Sequence, residues 1–209
     1  MRIYLDSKKT LKFTTFTDKS AKDILVVQKK KSCSIKLELY LEMNKGTLLD
    51  LETTGIPNKN SEHEIICFGY TVSNKLNILC RKSKNKILHY EEISPLVKKL
   101  AKPFYAFNAI FEKEILEKEL GVILGENEFI DLFQPFKFKA TSLGLKWPRL
   151  DDLVSLPEKY FGETQISGKD CPELWKMYLD IGDENLLKMI IKHNLTDLLR
   201  EVNLLMLYF

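Results

Sequence analysis

Thr47–Gly55 reads T-L-L-D-L-E-T-T-G, with Gly46 ahead of it and Thr53-Thr54-Gly55 as its exit. Leu48, Leu49 and Leu51, flanked by threonine, predict a strand covered on both faces, as at the centre of a sheet. Side chains alternate along a strand, so Asp50 and Glu52 point to one face. Two neighbouring carboxylates in a core strand are costly to bury unless a cation offsets them. Oxygen donors so placed suit Mg²⁺ or Mn²⁺. The bland alternative is an edge strand whose acids face water, and the apolar run around them argues against it.

Around this strand the chain has room for a sizeable core: 209 residues predict one domain, or one with an appendage. No apolar stretch approaches a membrane span, and Met1–Asp6 runs into lysines rather than a signal segment. The expectation is a cytoplasmic protein with no membrane partner. Cys33, Cys67, Cys80 and Cys171 are far apart and lack C-x-x-C spacing. That argues against a zinc or iron–sulfur site and for core thiols. Residues 1–45 hold 11 Lys/Arg against 5 Asp/Glu, a net +6, whereas the remainder holds 21 against 24, a net −3. A basic flank on a mildly acidic body fits attraction of a polyanion to a site that itself collects cations.

Residues 1–45 read as a basic, β-rich appendage. Ser34–Glu42 alternates strictly, and Leu11–Phe16 and Ile24–Gln28 are further short strand candidates. Residues 46–209 read as the main domain. After the polar connection Ile56–Glu62, Ile65–Ser73 and Leu76–Arg81 predict an antiparallel pair, with Ile87–Tyr90 continuing the second strand. Glu91–Ala101 predicts a helix ended by Pro103, and Phe104–Phe107 a buried strand. Ala109–Leu120 predicts a helix that Asn108 caps and Gly121 ends. Phe129–Leu132 predicts a last strand, Gln134–Gly168 a loop-rich region, and Pro172–Leu179 and Glu184–Tyr208 closing helices. This order predicts a mixed α/β sheet flanked by helices.

Two further acids stand at places where chemistry gathers. Glu112, in F-N-A-I-F-E (Phe107–Glu112), lies in the first turn of a helix leaving a strand. It either complements the helix dipole or serves a site at that strand end. On the last helix, Leu187, Ile191, Asn194, Leu198, Val202 and Leu205 define an inward stripe. His193 and Asp197 share one flank of it, as a surface ion pair or as groups reaching a site over the sheet.

D-L-E-T-T-G at Asp50–Gly55, F-N-A-I-F-E at Phe107–Glu112 and H-N-L-T-D at His193–Asp197 occur in one order along one chain. In this the chain resembles the DEDD (DnaQ-like) 3′–5′ exonucleases of the ribonuclease-H-like superfamily, and within them the YprB-like predicted nucleases. S-G-K-D-C-P-E-L-W-K-M-Y-L-D at Ser167–Asp180 also resembles that group. The resemblance covers about Gly46 to Phe209. It departs from the pattern in two places. Glu112 stands where Asp is usual, and His193 is four residues before Asp197, the spacing of tyrosine-type rather than histidine-type members.

The resemblance implies a ribonuclease-H-like mixed five-stranded sheet with helices on its faces. It also implies metal-dependent 3′–5′ exonuclease activity on single-stranded DNA or RNA. Two Mg²⁺ or Mn²⁺ ions would be held by Asp50, Glu52, Glu112 and Asp197, with His193 as general base. Thr53, Thr54 and Gly55 would contact the terminal nucleotide or simply form the turn, and Asn108 would orient substrate or cap its helix. Asp131 is similar to an acid common in the family but is not read as a ligand. Phe104, Tyr105 and Phe107 read as core, whereas Trp147, Tyr160 and Phe161 are stacking candidates. His63 and His89 read as surface residues. The competing readings are a structure-selective endonuclease on the same fold and an inactive nucleic-acid-binding module. The apolar Leu204–Phe209 packs either internally or against a second subunit.

Overall fold

The computed structural model describes residues 46–55, 63–72, 75–154 and 166–208, together with the backbone of four strands within residues 1–45. Strands β1 (Arg2–Leu5) and β2 (Leu11–Thr14) form an antiparallel pair of their own. Strands β3 (Val26–Lys29), β4 (Ser32–Glu38), β5 (Thr47–Thr53), β6 (Ile65–Val72), β7 (Lys75–Arg81), β8 (Phe104–Ala106) and β9 (Phe129–Asp131) form one sheet, in the order β3-β4-β7-β6-β5-β8-β9. Its five-stranded heart, β7 to β9, is the expected mixed sheet. β5, β6 and β7 are antiparallel neighbours, and β5, β8 and β9 are parallel ones. β4 pairs along β7 from Ser32 opposite Arg81 to Glu38 opposite Lys75, so residues of the basic segment extend the sheet at that edge.

Among the described residues six α-helices accompany the sheet: α1 (Ile87–Lys99), α2 (Ala109–Leu120), α3 (Gln134–Ser142), α4 (Leu150–Leu153), α5 (Cys171–Ile181) and α6 (Glu184–Tyr208). Alternation along β5 sorts its residues between two cores. Leu49 and Leu51 join Phe68, Ile93, Val97 and Ile115 under α1 and α2. Leu48 joins Ile66, Trp175, Leu187, Ile191 and Leu198 under α5 and α6. Asp50 and Glu52 share the face of Leu48, so the fold turns both acids toward α5 and α6. At the strand's entrance Gly46 has φ +86°, and a Cβ there would strike the Pro103 carbonyl and the Tyr105 ring. This close approach lets Thr47 N–H donate to Pro103 O at 3.0 Å and starts the parallel pairing with β8.

Several local expectations are corrected. Ile87–Tyr90 is not a strand continuation but the first turn of α1. The Asn85 side chain accepts the Ile87 N–H at 3.0 Å, and His89, Ile93 and Val97 line one buried helical face. Within Gln134–Gly168 the chain forms α3 and α4; Pro135 sits in the first turn of α3, where its missing N–H costs nothing. His63 and His89 are buried, each 3% exposed. Burial and, secondarily, the Arg81 charge push the His89 pKa down to about 3, so that ring is neutral. Asn108 does not cap α2 with its side chain; it takes the left-handed conformation at φ 69° instead. Phe104, 0% exposed, belongs to the core as expected. Cys67, Cys80 and Cys171 are buried free thiols. Tyr160, Phe161, the Ile56–Glu62 connection and the side chain of Cys33 lie outside the described residues, as do the side chains of 206–209.

Candidate active site

The site begins where α6 crosses the sheet. Asp50 on β5 stands opposite Gly69 on β6. A Cβ at Gly69 would overlap Asn194 Oδ1 and Leu198 Cδ1, so glycine is what lets the helix settle onto the strands. Asn194 is completely buried in the apolar stripe of α6. Its Nδ2 donates to the backbone oxygen of Asp50 at 3.1 Å and to Asp50 Oδ2 at 2.7 Å. A polar side chain in that stripe is tolerated because those bonds satisfy its donor, and they fix the Asp50 carboxylate.

The expected flank of α6 arrives beside the second strand acid. His193 Nε2 lies 3.7 Å from Glu52 Oε1 and 3.5 Å from Asp197 Oδ2. Arg200 Nη1 donates to Asp197 Oδ1 at 2.7 Å and holds that carboxylate from the far side. The surface-pair alternative for His193 and Asp197 is thereby set aside: their side chains are 11% and 20% exposed and adjoin a strand acid.

Glu112 comes in from the opposite side of β5, on the first turn of α2. Because β8 pairs with β5 only at Thr47 and Leu48, the backbone N–H of Leu51 lies beyond that ladder, and it donates to the Glu112 carboxylate. Glu112 Oε2 is buried without a hydrogen-bond partner. Asp50, Glu52, Glu112, His193 and Asp197 are thus brought together from β5, α2 and α6.

One acid went unread in the sequence. Glu201 on α6 is completely buried; its Oε1 accepts the Phe107 N–H at 2.8 Å, and its Oε2 has no hydrogen-bond partner. The signal was available: His193, Asp197 and Glu201 recur every four residues, hence along one face of the helix. Asp131 is a companion brace rather than part of the cluster. Its Oδ1 accepts the N–H of Asn108 at 3.0 Å and of Phe133 at 2.9 Å. Two acids therefore grip consecutive N–H groups, at Phe107 and Asn108, in the turn that launches Glu112.

The carboxylates reach each other electrically. Burial, then Glu201, Glu52, Glu112 and Asp197, hold the Asp50 carboxyl well above the usual range. Burial and then Asp197 push Glu52 up to about 8, against the pull of a hydrogen bond from Cys171. Burial, then Glu201 and Glu52, raise Glu112. Burial, then Asp197 and Asp131, raise Glu201. Without a cation these groups favour the protonated form.

The site's outer wall is the turn Ser167–Asp170, closed by Asp170 Oδ2 accepting the Ser167 N–H at 2.7 Å and its hydroxyl at 2.9 Å. Gly168 faces inward there, and a Cβ on it would sit 3.5 Å from His193 Nε2 and 3.9 Å from Glu52 Oε2. Cys171 follows at the start of α5; its thiol donates to the Ser167 carbonyl at 3.9 Å and lies beside the Glu52 carboxylate. At the strand exit the Thr53 hydroxyl donates to the Gly55 carbonyl, and the Thr54 hydroxyl accepts the Glu64 N–H at 3.0 Å. Trp147 is 49% exposed, edge-on to Phe133, with Lys137 Nζ 4.2 Å from its ring centroid.

Hard oxygen donors brought this close together, with Glu112 Oε2 buried and unpartnered, fit a small divalent cation. No curated protein matches the chain in sequence. Among solved structures it is similar to the family B DNA polymerase from the hyperthermophilic archaeon Pyrobaculum calidifontis, with a TM-score of 0.50 and 15% identity. That likeness covers 76% of this chain but 23% of the polymerase chain, and it speaks to fold alone. The RNase_H_2 family model matches residues 47–208, from the first residue of β5 to the last of α6, and the chain belongs to the RNase_H superfamily.

Proposed function

We propose that the chain is a divalent-metal-dependent 3′–5′ exonuclease of the DEDD type, acting on single-stranded ends of DNA or RNA. The observation that carries this reading is the convergence of Asp50, Glu52, Glu112 and Asp197, drawn from three separate sequence motifs, in one acidic cluster. These four residues would hold two Mg²⁺ or Mn²⁺ ions, which when bound activate a water and neutralise charge on the scissile phosphate. Asn194 fixes Asp50, and Arg200 fixes Asp197, so both carboxylates are oriented before substrate arrives. His193 offers Nε2 as proton acceptor between Glu52 and Asp197. Thr53, Thr54 and Gly55 line the strand exit as contacts for the terminal nucleotide, with Asn108 at the head of α2 beside them in role. Residues 46–209 carry the chemistry, and the +6 charge of residues 1–45 draws in the polyanion. The closer kinship to the YprB-like group rests on the Ser167–Asp180 stretch.

The test is cleavage of matched 5′-labelled single-stranded DNA and RNA with Mn²⁺ or with chelator. A ladder of products shortened from the 3′ end is expected, and Asp50→Asn should lower turnover at least about 100-fold with the fold intact. Cut circular substrate would identify an endonuclease instead. Binding that persists in chelator with no Mn²⁺-stimulated cleavage would identify a binding module.

A further inference from the structure

We propose that Glu52, Cys171 and His193 form a binding site for a thiophilic divalent ion, Zn²⁺ foremost, superimposed on one side of the oxygen-donor site. One ligand atom from each, a carboxylate oxygen, Sγ and an imidazole nitrogen, lies within 4.8 Å of the other two. The Glu52 Oε1 to His193 Nε2 separation is 3.7 Å. Around a tetrahedral Zn²⁺, with bonds of about 2.0–2.3 Å, neighbouring donors stand about 3.3–3.6 Å apart. Closing the trio on an ion therefore asks any two donors to approach by about 1.5 Å at most.

The three donors belong to three elements that already pack together. Cys171 on α5 shares a core cluster with Leu48 of β5 and Leu187, Ile191 and Leu198 of α6. Cys171 is fully buried and Glu52 is 6% exposed, so two of the ligands have little freedom to lose on binding. Gly168 puts no side chain against the trio, where a Cβ would lie 3.5 Å from His193 Nε2 and 3.9 Å from Glu52 Oε2. Three protein ligands leave the fourth corner of the tetrahedron to water, the arrangement of a reactive rather than a purely structural zinc site.

Ligand chemistry separates this ion from Mg²⁺. Sulfur and imidazole are poor partners for Mg²⁺ and good ones for Zn²⁺. As the metal–sulfur bond forms, the Cys171 thiol proton passes to solvent. Thiolate, carboxylate and a neutral imidazole around a divalent ion then sum to no net charge, which suits a buried setting. Glu52 serves both donor sets, so a thiophilic ion seated here takes it from the oxygen set. On the exonuclease reading, Zn²⁺ is then an inhibitor of Mn²⁺-dependent cleavage; the binding itself does not rest on that reading.

Titration of the full chain with Co²⁺, a spectroscopic stand-in for Zn²⁺, tests the site directly. A thiolate-to-Co²⁺ charge-transfer band in the near ultraviolet is expected, bleached by added Zn²⁺ and lost in Cys171→Ser with its melting transition retained. His193→Gln, which leaves the thiol in place, should weaken Co²⁺ binding at least about tenfold. Cys171→Ser should also raise the Zn²⁺ concentration needed for half-inhibition of Mn²⁺-dependent cleavage at least about tenfold. Absence of the band in the native chain, or its persistence in Cys171→Ser, overturns the proposal. A band with the expected variant behaviour but no cleavage under any metal upholds this site and counts against the exonuclease.

Discussion

Glu201 carries two tasks that substitution can separate. One carboxyl oxygen accepts the Phe107 N–H at 2.8 Å, and the other faces the acidic pocket without a hydrogen-bond partner. The first task needs only an acceptor; the second concerns charge. Glu201→Gln keeps the acceptor and removes the repulsion that helps raise Asp50 and Glu112. In chelator at pH 8 this variant is expected to melt above the parent chain. Glu201→Ala deletes the acceptor and strands a buried N–H, which costs about 1–3 kcal/mol before any cavity is counted. Chemical denaturation of the two variants side by side checks the division. If Gln destabilises as much as Ala, the residue is held by charge and the role assigned to its acceptor is wrong.

At the scale of elements, the site depends on how closely α6 rides over β5 and β6, and Gly69 sets that distance. Gly69→Ala forces Asn194 and Leu198 off the sheet. A cost of about 1–3 kcal/mol in stability is expected from overpacking. Displacing Asn194 also loosens Asp50, so turnover should fall more steeply than stability explains, as denaturation and cleavage measured on one preparation will show. β5 and α6 are also the elements that the sequence made plainest. Alternation placed Asp50 and Glu52 on one face, and the stripe from Leu187 to Val202 gave the inward side of α6; both periodicities are local. What escaped was decided by partners distant in sequence. I-L-H-Y at Ile87–Tyr90 suits strand or helix by composition, and the bond from Ile87 N–H to Asn85 together with the apolar floor under Ile93 selects helix. His89 looked like a surface residue because nothing nearby shows that Arg81 and the sheet lie beneath it. Cys171 looked like a plain core thiol because its companions, Glu52 and His193, are far off along the chain and meet it only through the packing of α5 and α6 on β5.

For the whole molecule, the acidic cluster makes stability depend on pH and on metal together. Glu52 has an ordinary pKa of 4.5, and the fold pushes it up to about 8. Between those values the folded chain keeps a proton that the unfolded chain releases, so stability is lost as pH rises through the window. Asp50, Glu112 and Glu201 are shifted in the same direction. His89 works the other way, since its pKa falls from 6.5 to about 3, and its contribution is lost as pH drops through that range. The two effects oppose each other below about pH 6.5, where His89 titrates in the unfolded chain; above it the acids act alone. In chelator the melting temperature should therefore fall between about pH 6.5 and pH 8. On the proposed reading, bound Mn²⁺ would reverse the sign, because it requires the carboxylates as anions and binds more tightly as they ionise. At 100 times its dissociation constant an ion contributes about 2.7 kcal/mol, or about 5–10 °C in a chain of this size. The Mn²⁺-induced rise should be larger at pH 8 than at pH 6.5 and largely absent in Asp50→Asn. A melting temperature that climbs over that interval in chelator, or an equal Mn²⁺ shift at both pH values, would mean that the acids do not share one cation-holding pocket.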